Sequence, residues 1–487
     1  MIMKRVCHQV DLLIDYAKKN LGLKPRNEIY ARNTLLGILG VESYEETERG
    51  ECDFTSPETL LADLKAAGIE AGLFDESEGA AKADAVMGAL SLSPAEVDEI
   101  FASLSKEDSA KATEWLYRYS VKNDYVKKSV LDKNPRFESN GLVITINKAK
   151  PEFRDPKKAV SGNSVKGGYP KCSICRDNEG FYGRAKRTLR TVSLTLNGKQ
   201  WFWQFSPYGY FYQHGIVVNE AHIPMHVDKD TFYALMDFVD RFPHYFVGCN
   251  AALPRIGGSV LAHDHFQGGG ETLPLHKAKM KKEVPCKVEG IRLGILDWPG
   301  TVIRVKGSDR DKVALVADAV RVAWLAYEDR EKGIIPEDET GVHSAVSPTV
   351  IKTWEGYEMN IILRNNITTE EYPDGVFHAH PEFHSVKKES IGLIEAQGLF
   401  ILPGRLEEEL AKVEQCVKNG VLQEECKDFS LVYEECRLRL EQDPEQDVHA
   451  IMQEELGSIC YRILENTAVF KSAEETENFL KGVSVYG

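Results

Sequence analysis

The chain has 487 residues, 43% hydrophobic and 28% charged, with a formal net charge of −15. That length accommodates two or three domains, and the acidic balance excludes a nucleic-acid backbone as the main partner, because phosphate-backbone binding needs a basic surface. No apolar run is long enough to span a bilayer and Met1 to His8 lack a signal-peptide core, so a cytoplasmic protein without membrane contact is expected. A small phosphorylated substrate, which needs only a local basic pocket, stays open.

Residues up to about 130 read as helices. Val6, Val10, Leu13 and Ala17 recur at helical spacing. Ser56-Pro57 starts a second helix with Leu60, Leu61 and Leu64 on one side. Ser93-Pro94-Ala95-Glu96 starts another, with a serine cap and a complementing glutamate. Near Phe137 the period changes to alternation. Leu142 to Ile146 is a strand candidate, and 151–170, rich in Pro, Lys and Gly, reads as a loop. Thr191 to Leu196, a two-residue Asn197-Gly198 turn and Gln200 to Phe205 make a hairpin. Phe211 to Val218 adds a strand, and Asp228 caps a helix with Phe232, Leu235, Met236 and Val239 on its apolar stripe. Tyr245 to Ala251 is a further strand. An antiparallel sheet with one packed helix is an α+β module.

From about 290 the order recurs. Ile291 to Leu296 and Thr301 to Val305 are strands, Asp309 to Glu328 a helix, and Thr349 to Thr353 and Tyr357 to Leu363 strands. Each module ends in a His-x-His, at His263-Asp264-His265 and at His378-Ala379-His380, which points to an internal duplication. The expected organisation is a helical region 1–135, a first sheet module 136–288, a second 289–404 and a helical region 405–487.

The chemistry is expected at Ala262-His263-Asp264-His265-Phe266-Gln267-Gly268-Gly269. On a strand, side chains two apart share a face, which would align His263, His265 and Gln267. A neutral imidazole such as that of His265 attacks phosphorus near pH 7 and leaves a reactive N-linked adduct. Gln267 donates to a phosphate oxygen but cannot activate water, so the row favours transfer over hydrolysis. Asn250, Ser259 and the backbone amides of Gly257 and Gly258 are candidate phosphate donors. Lys387-Lys388 is a candidate phosphate-binding pair, and His378 and His380, with His384 and Glu382 nearby, are candidate ligands of a metal.

Of the ten cysteines, only Cys172 and Cys175 are closely spaced. Such a pair is a zinc half-site, a redox pair or chance. The redox reading expects a helix start, which the flanking strands do not offer. A tetrahedral zinc needs two more ligands, and His214, His222, His226, His244, His263 and His265 lie in the same module.

The run Asn250 through Phe266, together with Tyr169-Pro170-Lys171-Cys172, Phe242-Pro243-His244-Tyr245-Phe246 and Lys387 through Glu395, closely resembles the class II galactose-1-phosphate uridylyltransferases. The resemblance covers most of the chain. It implies two histidine-triad-like antiparallel modules and a ping-pong reaction: UDP-glucose uridylylates His265, glucose 1-phosphate leaves, and galactose 1-phosphate takes UMP to give UDP-galactose. By similarity to the class I branch it implies zinc ligands Cys172, Cys175, His222 and His263, with His214 a rival to His222. It also implies phosphate contacts from Asn250, Ser259 and Gln267, a second metal at His378 and His380, no organic cofactor and a homodimer. UDP-hexose and hexose 1-phosphate are the implied small-molecule substrates. Ala252 and Arg255 depart from the family pattern, and Arg255 adds positive charge beside the expected phosphates. A nucleoside-diphosphate-sugar phosphorylase, a UTP-dependent sugar-1-phosphate uridylyltransferase and a non-catalytic nucleotide- or zinc-binding module are the other classes compatible with these residues.

Overall fold

A computed structural model describes residues 2–47, 56–148, 168–258 and 260–487. Most of the stretch expected to be a loop at 151–170, and Ser259, lie outside the described residues.

The helical expectation for the first 130 residues holds, with helices at Ile2–Asn20, Glu28–Leu39, Glu58–Glu70, Glu76–Leu90, Pro94–Glu107 and Ser109–Lys122. The Ser93 hydroxyl accepts the Glu96 N–H and the Glu96 side chain reaches back to the cap, as the motif dictates. Strands follow in the order β1 (Arg136–Ser139), β2 (Leu142–Asn147), β3 (Val192–Leu196), β4 (Lys199–Phe205), β5 (Gly215–Asn219), β6 (Phe246–Gly248), β7 (His265–Gly269), β8 (Met280–Val284), β9 (Arg292–Leu296), β10 (Val302–Gly307), β11 (Glu337–Asp338), β12 (Gly341–Val342), β13 (Ser344–Thr353), β14 (Gly356–Asn365) and β15 (Leu399–Pro403). The Asn197-Gly198 hairpin forms with both residues at positive φ, 45° and 70°, as a two-residue turn requires.

The strands expected in two modules join in one ten-stranded sheet, ordered β3-β4-β5-β7-β6-β13-β14-β10-β9-β8, with β8 of the expected first module at the far edge, paired with β9. The seam is β6 against β13, where Gly248 faces Thr349. The helices Lys229–Arg241, capped by Asp228, and Arg310–Leu325, capped by Asp309, cover one face. Phe232, Leu235 and Val316 there bury Val247, Phe266, Val350 and Ile361. Residues one position along each strand point to the opposite face, where Phe246 and Ile362 pack with Leu393 and Ile394. The histidine chemistry sits on that second face.

Three sequence expectations need correction. Leu142–Asn147, grouped with the first module, instead pairs with β1 and, in parallel, with β15 in a separate three-stranded sheet. Its Leu142, Ile144 and Ile146 pack with Leu410, Val413 and Ile463 of the C-terminal helices, so the contacts that stabilise it are made with the end of the chain. The strand expected from Phe211 starts at Gly215, because Gln213 takes a φ of 56° and the His214 N–H closes a turn on the Phe211 carbonyl at 3.2 Å. The strand expected over Tyr245 to Ala251 is confined to Phe246–Gly248, since the chain then turns into the glycine loop.

Candidate active site

A fourth correction bears on chemistry: β7 begins at His265, so His263 precedes the strand rather than lying in its row. Around it the backbone is engaged by the 219–225 turn. The Asp264 N–H donates to the Ile223 carbonyl at 2.8 Å, and the Asn219 N–H to the Asp264 carbonyl at 3.0 Å. His265 and Gln267 do share the strand face, with Phe266 between them turned into the helical core and stacked on Trp201 at 4.5 Å.

His265 is buried, and its Nδ1–H donates to the His263 carbonyl at 2.8 Å. That bond fixes the tautomer and leaves the Nε2 lone pair free. Burial lowers the pKa of this ring to about 4, so it is neutral at pH 7. Gln267 is oriented by a residue whose role was not legible in the sequence. His214 donates through Nε2 to the Gln267 Oε1 at 3.0 Å, and its Nδ1 accepts the Tyr210 N–H at 3.3 Å. With both ring nitrogens used, and burial lowering its pKa to about 4, His214 is a neutral donor that leaves Gln267 presenting its Nε2 hydrogens. The contact joins residues 53 apart, a separation for which no local motif exists.

Asn250 is buried, and its Oδ1 accepts the Leu393 N–H at 2.8 Å, which directs its amide nitrogen elsewhere. That nitrogen lies against Gly258, where a Cβ would come within 2.8 Å of it; a Cβ on Gly257 would meet the Ala251 carbonyl at 2.2 Å. Both positions therefore need glycine for close approach. Arg255 is half-buried and held by a loop of the second half of the chain: its Nη2 donates to the Asn366 carbonyl at 2.8 Å. Lys388 is 42% exposed by side chain, 3.8 Å from Asp374, whereas Lys387 is buried against Glu395 at 3.1 Å.

Cys172, Cys175, His222 and His263 bring one ligand atom each within 4.8 Å of one another. Cys172 Sγ lies 3.3 Å from Cys175 Sγ and 3.3 Å from His263 Nδ1, and Cys175 Sγ lies 3.2 Å from His222 Nδ1. A tetrahedral zinc with its usual bond lengths separates such atoms by about 3.3–3.8 Å, so the donor set is compatible with zinc. His263 donates its other nitrogen, Nε2, to the Asn219 carbonyl at 2.7 Å, the partner that orients a metal-binding imidazole. His214, the rival ligand, is occupied with Gln267. Among the described residues this is the one such group of three or more ligand residues. His378, His380 and His384 each give a ring N–H to a backbone carbonyl, of Ala379, Val376 and Ala379 at 3.3, 3.0 and 3.0 Å. Those bonds show no convergence on a second metal.

A neutral imidazole with one free nitrogen, an oriented amide donor and glycine-lined backbone form a site suited to histidine-mediated transfer of a phosphorus-centred group. The comparisons with known proteins agree. Residues 24–224 match the model of the galactose-1-phosphate uridyl transferase N-terminal domain, and residues 238–429 that of its C-terminal domain. A galactose-1-phosphate uridylyltransferase of Bifidobacterium longum is 50% identical over 99% of this chain and 98% of its own. One from Fusobacterium nucleatum is 34% identical over 99% of each. Among solved structures, the match to yeast Ap4A phosphorylase Apa2 covers 67% of this chain and 86% of that chain at 11% identity and a TM-score of 0.33. The chain belongs to the galactose-1-phosphate uridylyltransferase family and is an enzyme. No helix among the described residues is long and apolar enough to cross a membrane.

Proposed function

We propose that this enzyme moves UMP from UDP-glucose to galactose 1-phosphate through a covalent uridylyl-histidine at His265. The observation that carries the reading is the Nδ1–H bond to the His263 carbonyl, which leaves Nε2 as the attacking atom. In the first step Nε2 bonds to the α-phosphorus. The bond from that phosphorus to the bridging oxygen breaks, and its electron pair leaves with glucose 1-phosphate. The ring becomes a cation, which the His263 carbonyl stabilises through the retained Nδ1–H. In the second step a phosphate oxygen of galactose 1-phosphate attacks the same phosphorus and returns the electron pair to Nε2. No proton is transferred in either step, so a glutamine at 267 suffices. Its Nε2 hydrogens, with Asn250, Ser259, Lys388 and the amides of Gly257 and Gly258, hold the phosphate oxygens.

The reading includes zinc on Cys172, Cys175, His222 and His263. When bound it would tie the cysteine loop to His263, two residues before β7, and so hold the carbonyl that sets the His265 tautomer. A cytoplasmic homodimer acting on small molecules completes the reading.

Incubation with UDP-glucose and galactose 1-phosphate should give UDP-galactose and glucose 1-phosphate in equal amounts. Turnover only with UTP, releasing pyrophosphate, would instead establish the UTP-dependent alternative. A panel of hexose 1-phosphates in the same assay identifies the preferred acceptor. Replacing His214 by phenylalanine keeps an aromatic ring but frees the Gln267 amide to turn. The expected loss in kcat is roughly 10- to 100-fold, as for other residues that orient a catalytic group; an unchanged kcat would remove His214 from the site's machinery.

A further inference from the structure

Arg364, on β14, is 1% exposed, and its Nε, Nη1 and Nη2 have no hydrogen-bond partner among the described residues. A buried charge left without a partner is strongly unfavourable. Glu395 is the acid that bears on it, but Glu395 is committed: its Oε1 accepts Lys387 at 3.1 Å and its Oε2 the Gly392 N–H at 3.2 Å. Burial lowers the arginine's pKa to about 10, which leaves it charged at pH 7. The Ser347 hydroxyl, also fully buried, lacks a partner too.

The sheet register puts these groups on the same face as His265. Gln267, Gly248, Thr349 and Asn360 lie opposite one another across four strands and so share a face. Two residues along, His265 is aligned with Ser347 and Ile362, and Ala345 opposite Arg364 follows on the same face. Asn250 lies between, bonded to Leu393, which packs on Ile362. Three strand spacings separate β7 from β14, about 14 Å. That is too far for one phosphate to touch both backbones, but a diphosphate with a long side chain reaching from each end spans it.

We propose that Arg364, with Ser347 and Asn250, forms the subsite for the phosphate of the hexose 1-phosphate, next to the uridylyl group on His265. This rests on the proposed function. The guanidinium fork matches phosphate oxygens in a way a sugar hydroxyl does not. In the first step hexose 1-phosphate departs as a dianion, and Arg364 neutralises the charge that develops on it. In the second step the same contact holds the incoming phosphate for attack.

The test compares wild type with Arg364→Met and Arg364→Lys. The KM for galactose 1-phosphate should rise by roughly 30-fold or more in Arg364→Met, the usual effect of truncating one partner of a buried charge contact, and by less in Arg364→Lys. Glucose 1-phosphate should raise the melting temperature of wild type but not of Arg364→Met. Without ligand, Arg364→Met should melt no lower than wild type, because an apolar side chain of similar length removes an uncompensated charge. An unchanged KM in both variants would overturn the proposal. So would an Arg364→Met that melts lower without ligand while glucose 1-phosphate still stabilises it. Failure of wild type to take up UMP from UDP-glucose would instead overturn the proposed function.

Discussion

Replacing His265 by alanine will lower UMP transfer by roughly 10⁴-fold or more, the scale seen when a covalent nucleophile is removed. UDP-glucose will still bind, because Asn250, Gln267 and the glycine loop are untouched. The melting temperature will change little compared with the loss of rate. Gln267→Ala is a graded control. It removes a donor to the phosphate oxygens but keeps the nucleophile, so a loss of roughly 10²–10³ in kcat is expected. Equal losses in the two variants would contradict the division of labour between attack at residue 265 and charge stabilisation at residue 267. Initial-rate measurements at saturating UDP-glucose and galactose 1-phosphate settle it.

Cys175→Ser will abolish zinc binding and destabilise the protein by on the order of several kcal/mol, since the free energy of a structural zinc is largely free energy of folding. Transfer will fall with it. In the proposed reading His263 would give the metal its Nδ1; it gives His265 a carbonyl, and the Asn219 contact at 2.7 Å holds the same ring from the other side. Elemental analysis and a melting curve on the purified variant check both halves. Metal-free Cys175→Ser protein that melts and turns over like wild type would remove zinc from this site.

How far the sequence could be read depended on the range of the interaction. Caps at Ser93 and Asp228 and the Asn197-Gly198 turn were legible because each is decided within four residues. The pairing of His265 with Gln267 was legible for the same reason, through strand period. The strand row failed at His263, where a contact with the 219–225 turn outweighs the ladder. The placement of Leu142–Asn147 failed because its partner strand lies some 250 residues onward, beyond any local pattern. The zinc set could be narrowed to a cysteine pair and candidate histidines. The geometry then separated His222, beside Cys175, from His214, which binds Gln267. Arg364 carried no sequence signal at all. In the sequence it is one charged residue in a strand, and only the register that brings β14 alongside β13, β6 and β7 sets it on the face of His265.

The proposed reaction passes through a covalent adduct on one imidazole nitrogen, which mass spectrometry of the intact protein after brief exposure to UDP-glucose alone would detect. Wild type should gain the mass of one uridylyl group, localised to the peptide containing His265 and discharged by galactose 1-phosphate, and His265→Ala should gain nothing. The same gain on His265→Ala, or turnover by wild type with no adduct at any time after mixing, would contradict it.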